Sequence, residues 1–236
     1  MRIDRIISNS GCGSRKEIKK MIKFGLITVD GMVINDCGTL INPDESDIRV
    51  NGNQLQYVKY VYIMMNKPKG VISATCDNKH KTVIDILPQE FRQYDLFPVG
   101  RLDIDTEGLL LLTNDGGLAH NILAPKKHVP KKYYALIEGV VSDEDIEKFG
   151  NGILLKDGYK SMPAKLTIKK SDSISEIELI IYEGKFHQVK RMFESVDKKV
   201  KYLKRISMGS LCLDGNLGLG DFRKLTFEEL SYLKNV

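Results

Sequence analysis

The chain has 236 residues, of which 42% are hydrophobic and 28% charged, with a formal net charge of +5. That is long for one ordinary domain, comfortable for two, and apolar enough for a packed core. No apolar stretch reaches the length of a membrane span and the N-terminal MRIDRIISNSGCGSRK has no apolar signal-peptide core, so a cytoplasmic protein without a membrane partner is expected. Cys12, Cys37, Cys76 and Cys212 form no C-x-x-C pair and are expected to be reduced, mostly buried thiols rather than metal ligands. His80, His120, His128 and His187 also lack metal-ligand spacing.

Charge is concentrated at the start of the chain. Up to residue 23, Arg2, Arg5, Arg15, Lys16, Lys19, Lys20 and Lys23 are offset only by Asp4 and Glu17, an excess that suits a polyanion. SRKEIKKMIKFG opens on a Ser14/Glu17 capping box and stops at Gly25. At about 100° per residue, Ile18, Met21 and Ile22 fall on one side of this helix; Arg15, Lys16, Lys19, Lys20 and Lys23 fall on the other. Such a face is either a solvated surface or a phosphate-binding one, and five cations with one acid nearby favour phosphate. LITVDGMVIND sets two β-branched runs around Asp30-Gly31, a hairpin signal, and INPDESDIRVNGNQL adds a turn and a short strand with an Asn51-Gly52 corner. A boundary near residues 56–61 separates a small helix-plus-hairpin domain, 1–58, from a larger one, 61–236.

The larger domain begins with VYIMMNKPKGVIS, a strand, a Lys-Pro-Lys-Gly turn and a second strand. TVIDILPQEF reads as a short helix. RLDIDTEGLLLLTNDGGLAHNIL reads as a turn, a buried strand, an Asn-Asp-Gly turn and a helix, and KKYYALIEGVV as a strand. SDEDIEKFGNG is a helix capped by Ser142; PAKLTIKK and ISEIELIIYEG are strands; FHQVKRMFESV is a helix with Val189, Met192, Phe193 and Val196 on its core side. KYLKRISMGSLCL is a strand, GNLGLGDFRKLT a turn before the last strand, and TFEELSYLKNV a terminal helix with a Thr226/Glu229 capping box. Strands dominate without a regular βαβ repeat, which predicts an α+β fold with a mainly antiparallel mixed sheet.

The acids of GRLDIDTEGLLLLTNDG, residues 100–116, invite three explanations. A calcium loop counted from Asp103 would need an oxygen ligand where Leu111 stands and a bidentate glutamate where Asn114 stands, so calcium fits poorly. Turn chemistry explains Asp105 and Asn114-Asp115. Asp103, between Leu102 and Ile104, fits that less well and is expected to be half-buried, where an anion needs a partner. A glycosidase-like pair of Asp103 and Asp105 is disfavoured, because such pairs come from separate segments held at a fixed separation.

Four segments then decide the matter. NKPKGV, GRLDIDTEGLLLLTNDG, KKYYALIEG and EGKFHQVKRMF occur in the order of the RsuA-type pseudouridine synthases, which the whole chain resembles, and the N-terminal helix and hairpin resemble the alpha-L RNA-binding domain. The resemblance implies an enzyme that isomerises uridine in ribosomal RNA. Small-subunit rRNA is the nearest match; large-subunit rRNA and a non-catalytic assembly protein are the alternatives. It also implies that Asp103 is the essential carboxylate, that Arg101 holds the nucleotide out of its stack, and that Tyr133 packs on the base and takes part in proton removal. Lys185, in a position often occupied by arginine, would pair with Asp103. Lys67, Lys190 and Arg191 are expected to join the N-terminal cations in touching RNA. No cofactor is expected, because the reaction needs neither redox nor group transfer. The implied partner is ribosomal RNA or a subunit assembly intermediate, met by a monomer.

Overall fold

The structure, a computed structural model, describes residues 1–55 and 57–234, the side chains of Arg92 and Gln93 excepted. Gln56, in the expected boundary segment, and residues 235–236 of the expected terminal helix lie outside the described residues. The chain forms two compact units, Met1–Val61 with Leu87–Leu96, and Tyr62–Ile86 with Phe97–Val236. Relative to a division at 58 and 61, the first unit gains residues 87–96.

In the first unit, α1 (Ile3–Asn9) and α2 (Arg15–Lys23) pack on a sheet of β1 (Ile27–Val29), β2 (Met32–Val33), β3 (Ile48–Val50) and β4 (Asn53–Gln54) in the order β2-β1-β3-β4. The Ser14/Glu17 box forms: the Ser14 amide donates to Glu17 Oε2 at 2.7 Å, and the Glu17 amide donates to Ser14 Oγ at 3.4 Å. Ile18 and Ile22 enter a core with Ile3, Ile6, Ile7 and Ile27, while Arg15, Lys16, Lys19, Lys20 and Lys23 all stay exposed. Asp30 and Gly31 have φ of 50° and 80°, the positive pair that a two-residue hairpin corner requires. No sequence signal marks α1, which has seven residues and no side-chain cap at Arg2; its buried isoleucines hold it.

The second unit contains β5 (Tyr62–Lys67), β6 (Phe97–Pro98), β7 (Glu107–Thr113), α3 (Gly116–Leu123), β8 (Lys131–Glu138), α4 (Asp143–Gly150), β9 (Lys165–Lys170), β10 (Ile174–Ile181), α5 (Gln188–Glu194), β11 (Lys199–Met208), β12 (Leu211–Cys212), β13 (Phe222–Lys224) and α6 (Phe227–Lys234). The main sheet runs β13-β5-β7-β11-β8-β10-β9. Its pairings are antiparallel except β11 against β7, so the fold is α+β with a mixed, mainly antiparallel sheet. Every residue of β7 is buried, as the LLLL run demands. Among the described residues no helix is long and apolar enough to cross a membrane.

Three local expectations fail. The strand after the Lys-Pro-Lys-Gly turn is reduced to one bridge, Ile72 to Thr82. TVIDILPQEF is no α-helix. Asp85 takes the Thr82 amide and hydroxyl at 2.8 and 2.9 Å in a local turn, and Pro88 precedes a 3-10 turn over Gln89–Tyr94. Among the cysteines, Cys12 and Cys37 are half-buried, but Cys76 and Cys212 are exposed; all four are free.

The parallel crossing of β7 and β11 depends on Gly108, which stands opposite Arg205 with φ of 103°. A Cβ there would collide with the Arg205 carbonyl oxygen and amide nitrogen. Gly108→Ala is therefore expected to cost roughly 3 kcal/mol or more, read as a fall in the urea midpoint; an unchanged midpoint would contradict this crossing.

Candidate functional site

β8 and β11 place their site-facing side chains by simple alternation. Lys131 and Tyr133 are two apart on β8, Leu203 and Arg205 two apart on β11, and Tyr133 lies opposite Arg205 in the antiparallel register, so all four share one face. Ile181, at the end of β10, stands opposite Lys131. Above this floor the chain turns at residues 101–106, just before β7, and α5 covers the other side.

The turn is braced from below by the Lys-Pro-Lys-Gly segment. The Lys67 side chain is wholly buried, and its Nζ donates to the carbonyls of Pro68, Asp103 and Thr106 at 3.0, 3.1 and 2.9 Å. Gly70 N donates to Ile104 O at 2.8 Å, and Ser73 Oγ both accepts from Leu102 N and donates to Leu102 O, each at 3.0 Å. Thr106 N closes the turn onto Asp103 O at 3.0 Å. Burial pushes the Lys67 ammonium down to about 8, against upward pulls from Asp105 and Asp103. Lys67 is thus a support of the acidic turn and not a group that meets RNA, contrary to the sequence expectation.

The turn presents Asp103 and Asp105 to one ammonium. Lys190 Nζ on α5 lies 3.1 Å from Asp103 Oδ2 and 2.6 Å from Asp105 Oδ1. Burial lowers the Lys190 pKa, but the hydrogen bonds and charges of Asp105 and Asp103 outweigh it, and the net shift is upward. Asp105 moves the other way: burial raises it, Lys190 lowers it more, and the net is downward. The Asp103 side chain remains 26% exposed, and His187 Nε2 approaches its Oδ1 at 3.6 Å. His187 has φ of 48° and stacks on the exposed Phe186 ring at 3.8 Å.

The counter-charge expected from Lys185 is therefore misplaced. Lys185 makes no ion pair with Asp103; its ammonium lies 5.2 Å from the centre of the Tyr159 ring, and its backbone amide donates to Gln188 Oε1 at 2.9 Å. Lys190, expected at an RNA phosphate, takes the pairing role. Arg191 is also committed, to Asp157. These corrections share one cause: Gln188 ties residue 185 to the start of α5, and α5 then turns residue 190, not 185, towards the acids. Gln188 is itself held by Glu183 Oε1 at 2.5 Å. His187, Gln188 and Glu183 lie in the EGKFHQVKRMF motif, but nothing in the sequence assigns any of them a role in the site.

Arg101, Asp103, Tyr133, Lys185 and Lys190 line one cavity of about 60 Å³. Tyr133 is 8% exposed, so only part of its ring meets the opening. Arg101 is exposed and, among the described residues, has no ion-pair partner. The arrangement offers one carboxylate with a balanced charge, an aromatic wall and a free guanidinium. No three His, Cys, Asp or Glu side chains gather to hold a metal among the described residues.

Residues 61–195 match the family described as RNA pseudouridylate synthase, and residues 1–46 match the S4 domain. The chain is 49% identical to the RNA pseudouridine synthase YtzG of Bacillus subtilis, over 99% of this chain and 98% of that protein. It is 39% identical to ribosomal large subunit pseudouridine synthase B of Bacillus subtilis, over 99% and 95%. It is 37% identical to ribosomal small subunit pseudouridine synthase A of Escherichia coli, over 98% and 99%. A crystal structure of a pseudouridylate synthase superposes with a TM-score of 0.69 at 31% identity, covering 99% of both chains.

The Lys67 brace carries a pH signature. Its folded-state pKa lies below the ordinary lysine value near 10.4, so the unfolded chain holds the extra proton between about pH 8 and 10 and the native state gains stability as pH rises through that window. The stability of the wild type minus that of Lys67→Met should climb from pH 7.5 to 10 in urea titrations. A difference that stays level would contradict a buried ammonium at this position.

Proposed function

The chain belongs to the RNA pseudouridylate synthase family and carries an S4 domain, and from that premise we propose that it converts a uridine of ribosomal RNA to pseudouridine with Asp103 as the reacting carboxylate. RNA pseudouridine synthase activity, an isomerisation, is what the family performs. In it the bond from the sugar's C1′ to N1 of the base breaks, a bond from C1′ to C5 forms, and the C5 proton is lost while N1 gains one. Nothing is oxidised or reduced.

The reading rests on one observation above the rest: Asp103, a quarter exposed and 3.1 Å from the Lys190 ammonium, opens into the same cavity as Tyr133 and the free Arg101. A carboxylate with a fixed counter-charge can attack, or stabilise positive charge on, the anomeric carbon. A uridine in folded RNA must leave its stack to reach it. Arg101 then occupies the vacated space or grips a phosphate, and Tyr133 packs on the base. Arg15, Lys16, Lys19, Lys20 and Lys23, exposed on one face of α2, meet RNA phosphates.

Small-subunit rRNA is the proposed substrate, supported by end-to-end likeness to synthase A at 37%. The 39% likeness to large subunit synthase B favours a second reading with the same chemistry. Carbodiimide mapping of pseudouridine in rRNA from cells with and without the protein separates them: one small-subunit signal should vanish, and a lost large-subunit signal would replace the first reading with the second. Asp103→Asn should lower turnover more than about 10³-fold while RNA still binds. Retained turnover would remove Asp103 from the reaction.

A further inference from the structure

A second chamber, of about 370 Å³, adjoins the Asp103 cavity and shares Arg101, Tyr133, Gly184 and Lys185 with it. Its charge is one-sided. Lys131 and Arg205 rise from the sheet floor, Lys185 stands at the seam, and His128 stands exposed at the edge. The acid among its lining residues is Glu183, and both of its carboxylate oxygens are engaged. Oε2 accepts from the Tyr159 hydroxyl at 2.5 Å; Oε1 accepts from Met162 N at 3.0 Å and from Gln188 Nε2 at 2.5 Å.

Arg205 is the unusual member. It is 3% exposed, and its Nε donates to Leu109 O at 2.8 Å. Its Nη2 is buried and, among the described residues, has no hydrogen-bond partner. A buried guanidinium donor without an acceptor is costly unless something else supplies one. Lys131 is pushed down by burial and then by the Arg205 charge, which marks two cations crowded on one side of the chamber. The rings of Tyr133, Tyr159 and Tyr182, with Met162 and Met208, supply flat and polarisable walls.

A ligand for this chamber must bring acceptors or negative charge to the floor and an aromatic face to the walls, and it must be larger than an inorganic anion. It must also be continuous with whatever enters the Asp103 cavity. We propose that the chamber receives a second nucleotide, the immediate chain neighbour of the target uridine, with its phosphate or base carbonyl edge against Lys131 and Arg205 and its base against the tyrosine walls. This rests on the synthase reading and adds to it. Recognition of the uridine then includes the identity and accessibility of an adjacent base, which the Asp103 cavity by itself would not read.

The test measures binding, independent of turnover. Dissociation constants are obtained by NMR titration for the trinucleotide ApUpA and for two forms lacking the base on the 5′ or the 3′ side. Wild-type protein is compared with Lys131→Met and with Met162→Trp, which fills the chamber from a position outside the Asp103 cavity. In the wild type, removing one of the two flanking bases should weaken binding about tenfold, the size of a lost stacking contact. In both variants ApUpA itself should bind about tenfold more weakly, and removal of that same base should then cost nothing further. The chamber is refuted if wild type binds all three RNAs alike, or if base removal costs the variants as much as it costs wild type. Discrimination by a protein that forms no pseudouridine would keep the chamber and sink the synthase reading; turnover without discrimination would do the reverse.

Discussion

The ammonium of Lys190 stands between two carboxylates that share one short turn, and the geometry of the site depends on that contact. Asp103 and Asp105 would repel each other at this spacing without it. With it, the turn and α5 are tied across the mouth of the cavity, and Asp103 keeps a defined position while a quarter of its side chain stays open. A partly buried ion pair contributes little net stability. Its consequence is placement, since it fixes which face of the carboxylate a substrate can meet.

The pair works only because both of its ends are held. On one side the buried Lys67 gathers three carbonyls under the turn, assisted by Gly70 and Ser73. On the other, Gln188 bonds the Lys185 amide and Glu183, and so sets where α5 starts. Gly108 lets β7 and β11 run side by side immediately below, bringing Arg205 beneath the site. Two lysines with the same chemistry thus perform opposite tasks: Lys67 is dry and orders backbone, while Lys190 is half-wet and balances side-chain charge.

Much of the fold was legible in the sequence because its signals are local. The Ser14/Glu17 box, the Asp30-Gly31 corner and the LLLL run each specify their own element. α1 was not legible, since seven residues without a cap are held by tertiary burial alone. The site was legible in part. Asp103 stood out as a carboxylate among apolar neighbours, and family resemblance pointed to Arg101 and Tyr133. The choice between Lys185 and Lys190 was not available, because both precede or lie on the same short helix and only its rotation decides which ammonium faces the acids. The same holds for Lys67: a lysine in a turn motif reads as exposed, and its burial follows from strand pairing that lies far along the chain.

The proposed reaction therefore hinges on which lysine neutralises Asp103. The direct measurement is steady-state kinetics of pseudouridine formation by Lys190→Met and Lys185→Met on the same RNA. Loss of a fixed counter-charge beside the reacting carboxylate removes transition-state stabilisation on the order of 3 kcal/mol, so Lys190→Met should lower kcat by about 10²-fold, while Lys185→Met should change chiefly KM. A kcat collapse in Lys185→Met with Lys190→Met near wild type would contradict the pairing seen here.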